Sequence, residues 1–137
     1  MRNRVNMLTT AAVEAPGDIE GVRLPVVFHY DPADPLAVTL SFWGDKGGVN
    51  WVIARDLLHD GLAGISGVGD LTAWVSVSDQ NRYYLRIKSG PAVTLFSLET
   101  NDIQSFLSLA YDSVAAGDEM QAADVDAELN AILGEAA

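Results

Sequence analysis

No cysteine occurs in the chain. That excludes disulfides, thiolate metal sites and a cysteine nucleophile. Only 2 histidines are present, His29 and His59, so a multi-histidine metal site is excluded too. No apolar run approaches the roughly 20 residues that a membrane-spanning helix needs. The stretch from Met1 to Met7 carries two arginines but no apolar core of secretory length. No Gly-Lys pair exists, which removes the phosphate-binding P-loop. No serine stands in a Gly-x-Ser-x-Gly context. Cations are scarce: 8 Lys and Arg against 19 Asp and Glu give a formal net charge of −11. Such a chain repels a nucleic-acid backbone or an anionic leaflet unless its cations gather on one face. A soluble cytoplasmic protein is the expectation.

What is present is a globular composition, 49% hydrophobic and 20% charged over 137 residues. That length suits a single domain over residues 1–137, with a core that needs no staples. Charge is unevenly spread. Residues 1–98 hold all 8 cations and 10 acids, whereas residues 99–137 hold 9 acids and no cation. The C-terminal segment is therefore a distinct acidic unit.

Period-2 alternation of apolar residues marks strands with one buried face. Leu36, Val38, Leu40 and Phe42 share a face, as do Val49, Trp51 and Ile53. Gly44-Asp45-Lys46-Gly47-Gly48 between them is hairpin-turn chemistry. Further strands are expected over Val5–Val13, Val22–Tyr30, Leu71–Val77, Arg82–Lys88 and Ala92–Leu98. Pro25 favours an edge or a bulge in the second of these five. A short helix over Ala54–Asp60 ends at Gly61, a natural C′ residue. A second helix over about Asn101–Ala116 has Ile103, Phe106, Leu107, Ala110, Tyr111 and Val114 on one stripe. Asn101 with Gln104 forms its expected N-terminal cap, and Gly117 its stop. A third helix is expected over about Asp124–Leu133. Blocks of strands followed by helices say α+β. The expected fold is a mostly antiparallel sheet of about seven strands, a short middle helix and two C-terminal helices.

Few constellations carry chemistry. Gly61, Gly64, Gly67 and Gly69 follow a helix and lead into a strand, the reverse of a dinucleotide fingerprint, so they read as a connection. Asp31 and Asp34 flank a rigid Asp-Pro turn; turn formation explains them, and a bound metal or acid–base work is the alternative. His29 and His59 have no motif that positions them as a general base. Arg82, Tyr84, Arg86 and Lys88 share one strand face. That face is a solvated antiparallel surface, a single-strand nucleic-acid platform, or a partner for the acidic tail. Trp43 and Trp74 lie opposite the alternating apolar sets, which suggests self-association or a protein interface.

Several blocks together resemble the SsgA-like proteins of actinobacteria, and most of all their SsgB branch. They are Tyr30-Asp31-Pro32-Ala33-Asp34-Pro35, Trp51-Val52-Ile53-Ala54-Arg55-Asp56-Leu57-Leu58, Gly67-Val68-Gly69-Asp70-Leu71 with Trp74, Ser105-Phe106-Leu107 and Asp124-Val125-Asp126-Ala127-Glu128-Leu129. The Trp-x-x-Ala-Arg-Asp-Leu-Leu block is the most specific. The resemblance implies a non-enzymatic regulator of sporulation-specific cell division. Such a protein is a cytoplasmic adaptor at the division septum that recruits the tubulin-like protein FtsZ, aided by an SsgA-type relative. It also implies a homo-oligomer, a bell-shaped trimer with a Whirly-like fold, and no cofactor. The lysine-rich binding motif of Whirly proteins is absent here. Within the most specific block, Arg55 and Asp56 are candidates for helix anchoring or partner contact, with acids near the short helix as partners for Arg55. A single-stranded nucleic-acid binder using Arg82, Tyr84, Arg86 and Lys88 is the alternative function.

Overall fold

The computed structural model describes residues 2–15, 21–44 and 47–122. Seven strands form one sheet: β1 (Val5–Ala15), β2 (Arg23–Tyr30), β3 (Ala37–Gly44), β4 (Gly47–Ala54), β5 (Leu71–Val75), β6 (Arg82–Ser89) and β7 (Ala92–Glu99). Helix α1 (Arg55–Asp60) follows β4, and α2 (Thr100–Ser113) follows β7. The spatial order is β4-β3-β2-β1-β7-β6-β5, and every ladder is antiparallel. Two meanders are thus stitched together where β1 meets β7, over Ala12 to Ala15 against Leu95 to Ser97, with a register shift between Val13 and Ala15. The expected helix over Asp124–Leu133 lies outside the described residues.

Alternation decides the faces. Val26, Phe28, Tyr30, Val38, Leu40, Phe42, Tyr83, Leu85 and Ile87 all point into the core. The sheet is strongly curled: Phe42 of β3 stacks on Phe96 of β7 at 4.6 Å although two strands separate them in the sheet order. Helix α2 fills the hollow with Ile103, Phe106, Leu107 and Ala110, and Phe106 meets Phe28 edge-on at 5.4 Å. The β3–β4 hairpin pairs Gly44 with Gly47, and Gly47 takes a φ of +104° that a side chain would oppose.

Pro25 pairs with Thr10 of β1, but the ladder from β2 to β3 starts only at Val26. The proline therefore flanks that ladder without interrupting it, although β2 is an interior strand.

Element ends depart from the sequence expectations. β5 stops at Val75, two residues early. There the Ser76 N–H donates to the Arg82 carbonyl and the Ser76 hydroxyl accepts from the Asp79 N–H, turning the chain. Helix α2 starts at Thr100, with Glu99 at its N-cap and no side-chain cap. Glu99 is still paired to Arg82 in the sheet, so strand runs directly into helix and Asn101 falls inside it. Asp102 instead accepts a hydrogen bond from the Thr9 hydroxyl at 2.6 Å. The helix ends at Ser113, well before Gly117, because Val114 is extended and buried. Gly61 is not left-handed: its φ is −61°. It is needed for space, since a Cβ there would sit 2.6 Å from the Tyr83 hydroxyl.

A candidate protein-interaction surface

Arg55 opens α1 directly after β4 and is 1% exposed. Its guanidinium donates to the Tyr30 hydroxyl (3.0 Å) and to the carbonyls of Ala110 (3.1 Å) and Val114 (2.7 Å). It also pairs with Glu119 at 3.0 Å and lies 3.9 Å from the centre of the Tyr111 ring. The carbonyls at the end of α2 are thereby satisfied by a side chain from another helix, which lets α2 stop without a glycine. The acidic partner of Arg55 is thus an acid beside α1 and not one of α1 itself. Asp56 accepts from the Tyr111 hydroxyl at 2.7 Å instead. Burial chiefly, then that hydrogen bond, pushes the Tyr111 phenol well above its ordinary value. Burial also raises Tyr83, whose hydroxyl donates to the Leu58 carbonyl at 2.8 Å. Tyr30 is raised by burial against the opposing pull of Arg55. Arg55 therefore anchors both helices, and as a buried group it offers no surface to a partner.

Nothing in the sequence pointed to Glu119, which lies 64 residues from Arg55 inside the acidic segment. The available signal was a lone arginine set among apolar residues, since a buried guanidinium needs a carboxylate.

The remaining candidates are on the outer face. Trp74 and Tyr84 oppose each other on β5 and β6, with ring centres 5.5 Å apart. Arg86 and Lys88 continue that row and are exposed. Arg82 is spent at the end of it: it pairs with Glu14 at 3.0 Å and lies 3.9 Å from Asp79, while Ser97 also donates to Glu14. The stripe of cations is thus reduced by local pairing. Trp43 lies apart, on the outer face of β3, half exposed and over Gly48.

The two sheet edges differ. The β5 edge is covered by a bridge in which Ser66 and Ala73 exchange both backbone hydrogen bonds, at 2.9 and 2.8 Å. Among the described residues, no backbone hydrogen bond joins the outer edge of β4 to another segment. Beside that edge opens an apolar cleft of about 790 Å³, lined among others by Leu24, Phe42, Val49, Trp51, Ile87 and Phe96. Asp31 is held in its turn by the Ala33 N–H at 2.9 Å and faces Arg4 at 3.6 Å. No helix of the described residues is long and apolar enough to cross a membrane.

Known proteins resemble this arrangement over nearly its whole extent. Residues 24–119 match the family described as Streptomyces sporulation and cell division protein, SsgA. A sporulation-specific cell division protein SsgB from Saccharopolyspora erythraea is 36% identical, over 97% of this chain and 96% of its own length. The SsgB of Streptomyces coelicolor is 37% identical, covering 82% and 83%. A solved SsgB structure from a study of longitudinal cell division in Streptomyces coelicolor superposes with a TM-score of 0.80 at 29% identity, over 88% of this chain and 95% of that one. An SsgA-like sporulation-specific cell division protein from Thermobifida fusca gives 0.83 at 28% identity, over 93% and 94%. Sequence and curled sheet agree: the chain belongs to the SsgA family of sporulation and cell division proteins, and its role lies in sporulation cell division.

Proposed function

We propose that the protein is a non-enzymatic adaptor that self-associates and positions the FtsZ division machinery at septum sites in the cytoplasm. An SsgA-type relative assists it, and the assembly is a trimer. The observation that carries this reading is the β4 edge, which is unpaired among the described residues and lies beside an apolar cleft. Val49 and Val52 on that strand are 59% and 66% exposed. An unpaired strand with apolar side chains is a template for another chain. The buried machinery of the fold holds structure together, and the outward surface is shaped for protein contact.

The nucleic-acid alternative is disfavoured by the loss of Arg82 to Glu14 and by the net charge of −11. The test is the mass in solution by light scattering, alone, with purified FtsZ, and with a labelled single-stranded oligonucleotide. An oligomer that gains mass with FtsZ and ignores the oligonucleotide is expected. A species that shifts only with the oligonucleotide, and less at high salt, sinks the adaptor reading.

A further inference from the structure

We propose that the outer face of β5 and β6 docks an acidic, amphipathic peptide segment of a partner protein. This rests on the adaptor reading and gives the chemistry of one of its contacts. Ile65 and Val77 are 81% and 100% exposed. With Trp74 they line a groove of about 660 Å³ along the β5 edge. Trp74 packs on Tyr84. Trp74 and Tyr84 are paired across the ladder, as are Thr72 and Arg86, so Arg86 is a diagonal neighbour of Trp74. Such neighbours lie ~7–8 Å apart, within reach of long side chains. The groove with its exposed Ile65 and Val77, the aromatic pair and Arg86 are therefore neighbours on one surface, with Lys88 further along β6.

Charge complementarity selects the occupant. Arg86 and Lys88 make no ion pair among the described residues, whereas Arg82 on the same strand face is paired with Glu14. Two such cations near a groove that exposes Ile65 and Val77 fit carboxylates on one side of a peptide and apolar side chains on the other. A long polyanion would meet the repulsion of the molecule as a whole, which carries a net −11. A short peptide with a few acids is attracted locally and escapes most of that repulsion by screening. Tyr84 has Trp74 against its ring, so it offers less free face to a nucleobase.

The test titrates the full chain into a fluorescein-labelled synthetic peptide of about twelve residues, with Leu and Phe at helical i, i+3, i+4 and i+7 spacing and Glu elsewhere. Controls are the same peptide with Lys for Glu and a labelled oligo-dT. The Glu peptide is expected to bind and to weaken about tenfold or more in R86E/K88E, which then prefers the Lys peptide. A second variant, I65S/V77S, is expected to weaken binding about fivefold through the groove. All four positions are exposed, and thermal melting confirms that both variants fold. Equal affinity for wild type and R86E/K88E overturns the proposal, as does no binding of the Glu peptide. Binding of oligo-dT alone reassigns the face to nucleic acid. A lower light-scattering mass for R86E/K88E reassigns it to contact between copies. Co-sedimentation with FtsZ polymers separates the two levels. Wild type that pellets with FtsZ while the peptide arm fails removes only this inference; wild type that stays in solution removes the adaptor reading.

Discussion

At the scale of the residue, Arg55 shows how one side chain joins distant parts of the chain. It contacts Tyr30, Tyr111, the carbonyls of Ala110 and Val114, and Glu119. Removing one partner from a buried ion pair costs about 3–5 kcal/mol. Arg55→Ala is expected to lose that much, measured as a urea midpoint at unchanged slope. Arg55→Lys does not restore it, because an ammonium has neither the fork nor the planar face that stacks on Tyr111. The tyrosines give a second expectation. Tyr30, Tyr83 and Tyr111 are all raised in the fold. A raised folded value means that their contribution is complete below the unfolded value, about 10, and is lost as pH climbs through the folded values. Stability should therefore hold to about pH 10 and then fall. Thermal melts across that range, with phenolate absorbance followed in parallel, check it; a flat profile to higher pH contradicts it. The sequence marked Arg55 as important but left its partners unnamed, since a contact 64 residues away has no local signature.

At the scale of the element, the strands were legible because burial of one face forces a two-residue period that survives any tertiary context. All seven appear close to their expected bounds. The ends were less legible, because they are set by hydrogen bonds to other elements. α2 is the clearest case: its start is fixed by the β6–β7 ladder and its stop by Arg55. Gly61 is another, a glycine whose apparent role as a helix terminator hides a close approach by Tyr83. Gly61→Ala should therefore destabilise by about 1–3 kcal/mol through overpacking. Gly64→Ala, where nothing lies within 4 Å, should be close to neutral. Denaturant unfolding of the pair decides it, and equal effects would refute the steric account.

At the scale of the molecule, the β4 edge is one outward feature of the described residues, and the acidic C-terminal segment concentrates 9 acids in residues 99–137. If β4 carries self-association, V49K/V52K should lower the light-scattering mass and weaken the oligomer about tenfold or more, roughly 1.4 kcal/mol per decade, while the melting point of the subunit stays close to wild type. An unchanged mass places the contact elsewhere. If the acidic segment steers partner encounter, neutralising Asp118, Asp124, Asp126 and Glu128 should slow association at low salt and leave it unchanged at high salt. Glu119 has to be spared in that experiment, because its carboxylate belongs to Arg55. The proposed docking face was half legible. Period 2 placed Tyr84, Arg86 and Lys88 together, but the pairing of Arg82 with Glu14 and the exposure of Ile65 and Val77 depend on how loops and strands meet in space.

The placement of β1 between β2 and β7 has a bearing on synthesis. The first meander, β1 to β4, can close as it leaves the ribosome, for each of its strands pairs with its neighbour in the chain. The free side of β1 then waits for the seventh strand, and Arg55 waits longer still, for Glu119. A chain interrupted before β7 holds a half-sheet with an open edge, and one interrupted before residue 119 holds an arginine without its carboxylate. Completion of the fold thus requires the chain through residue 119, and a shorter chain leaves exposed the surfaces it cannot close.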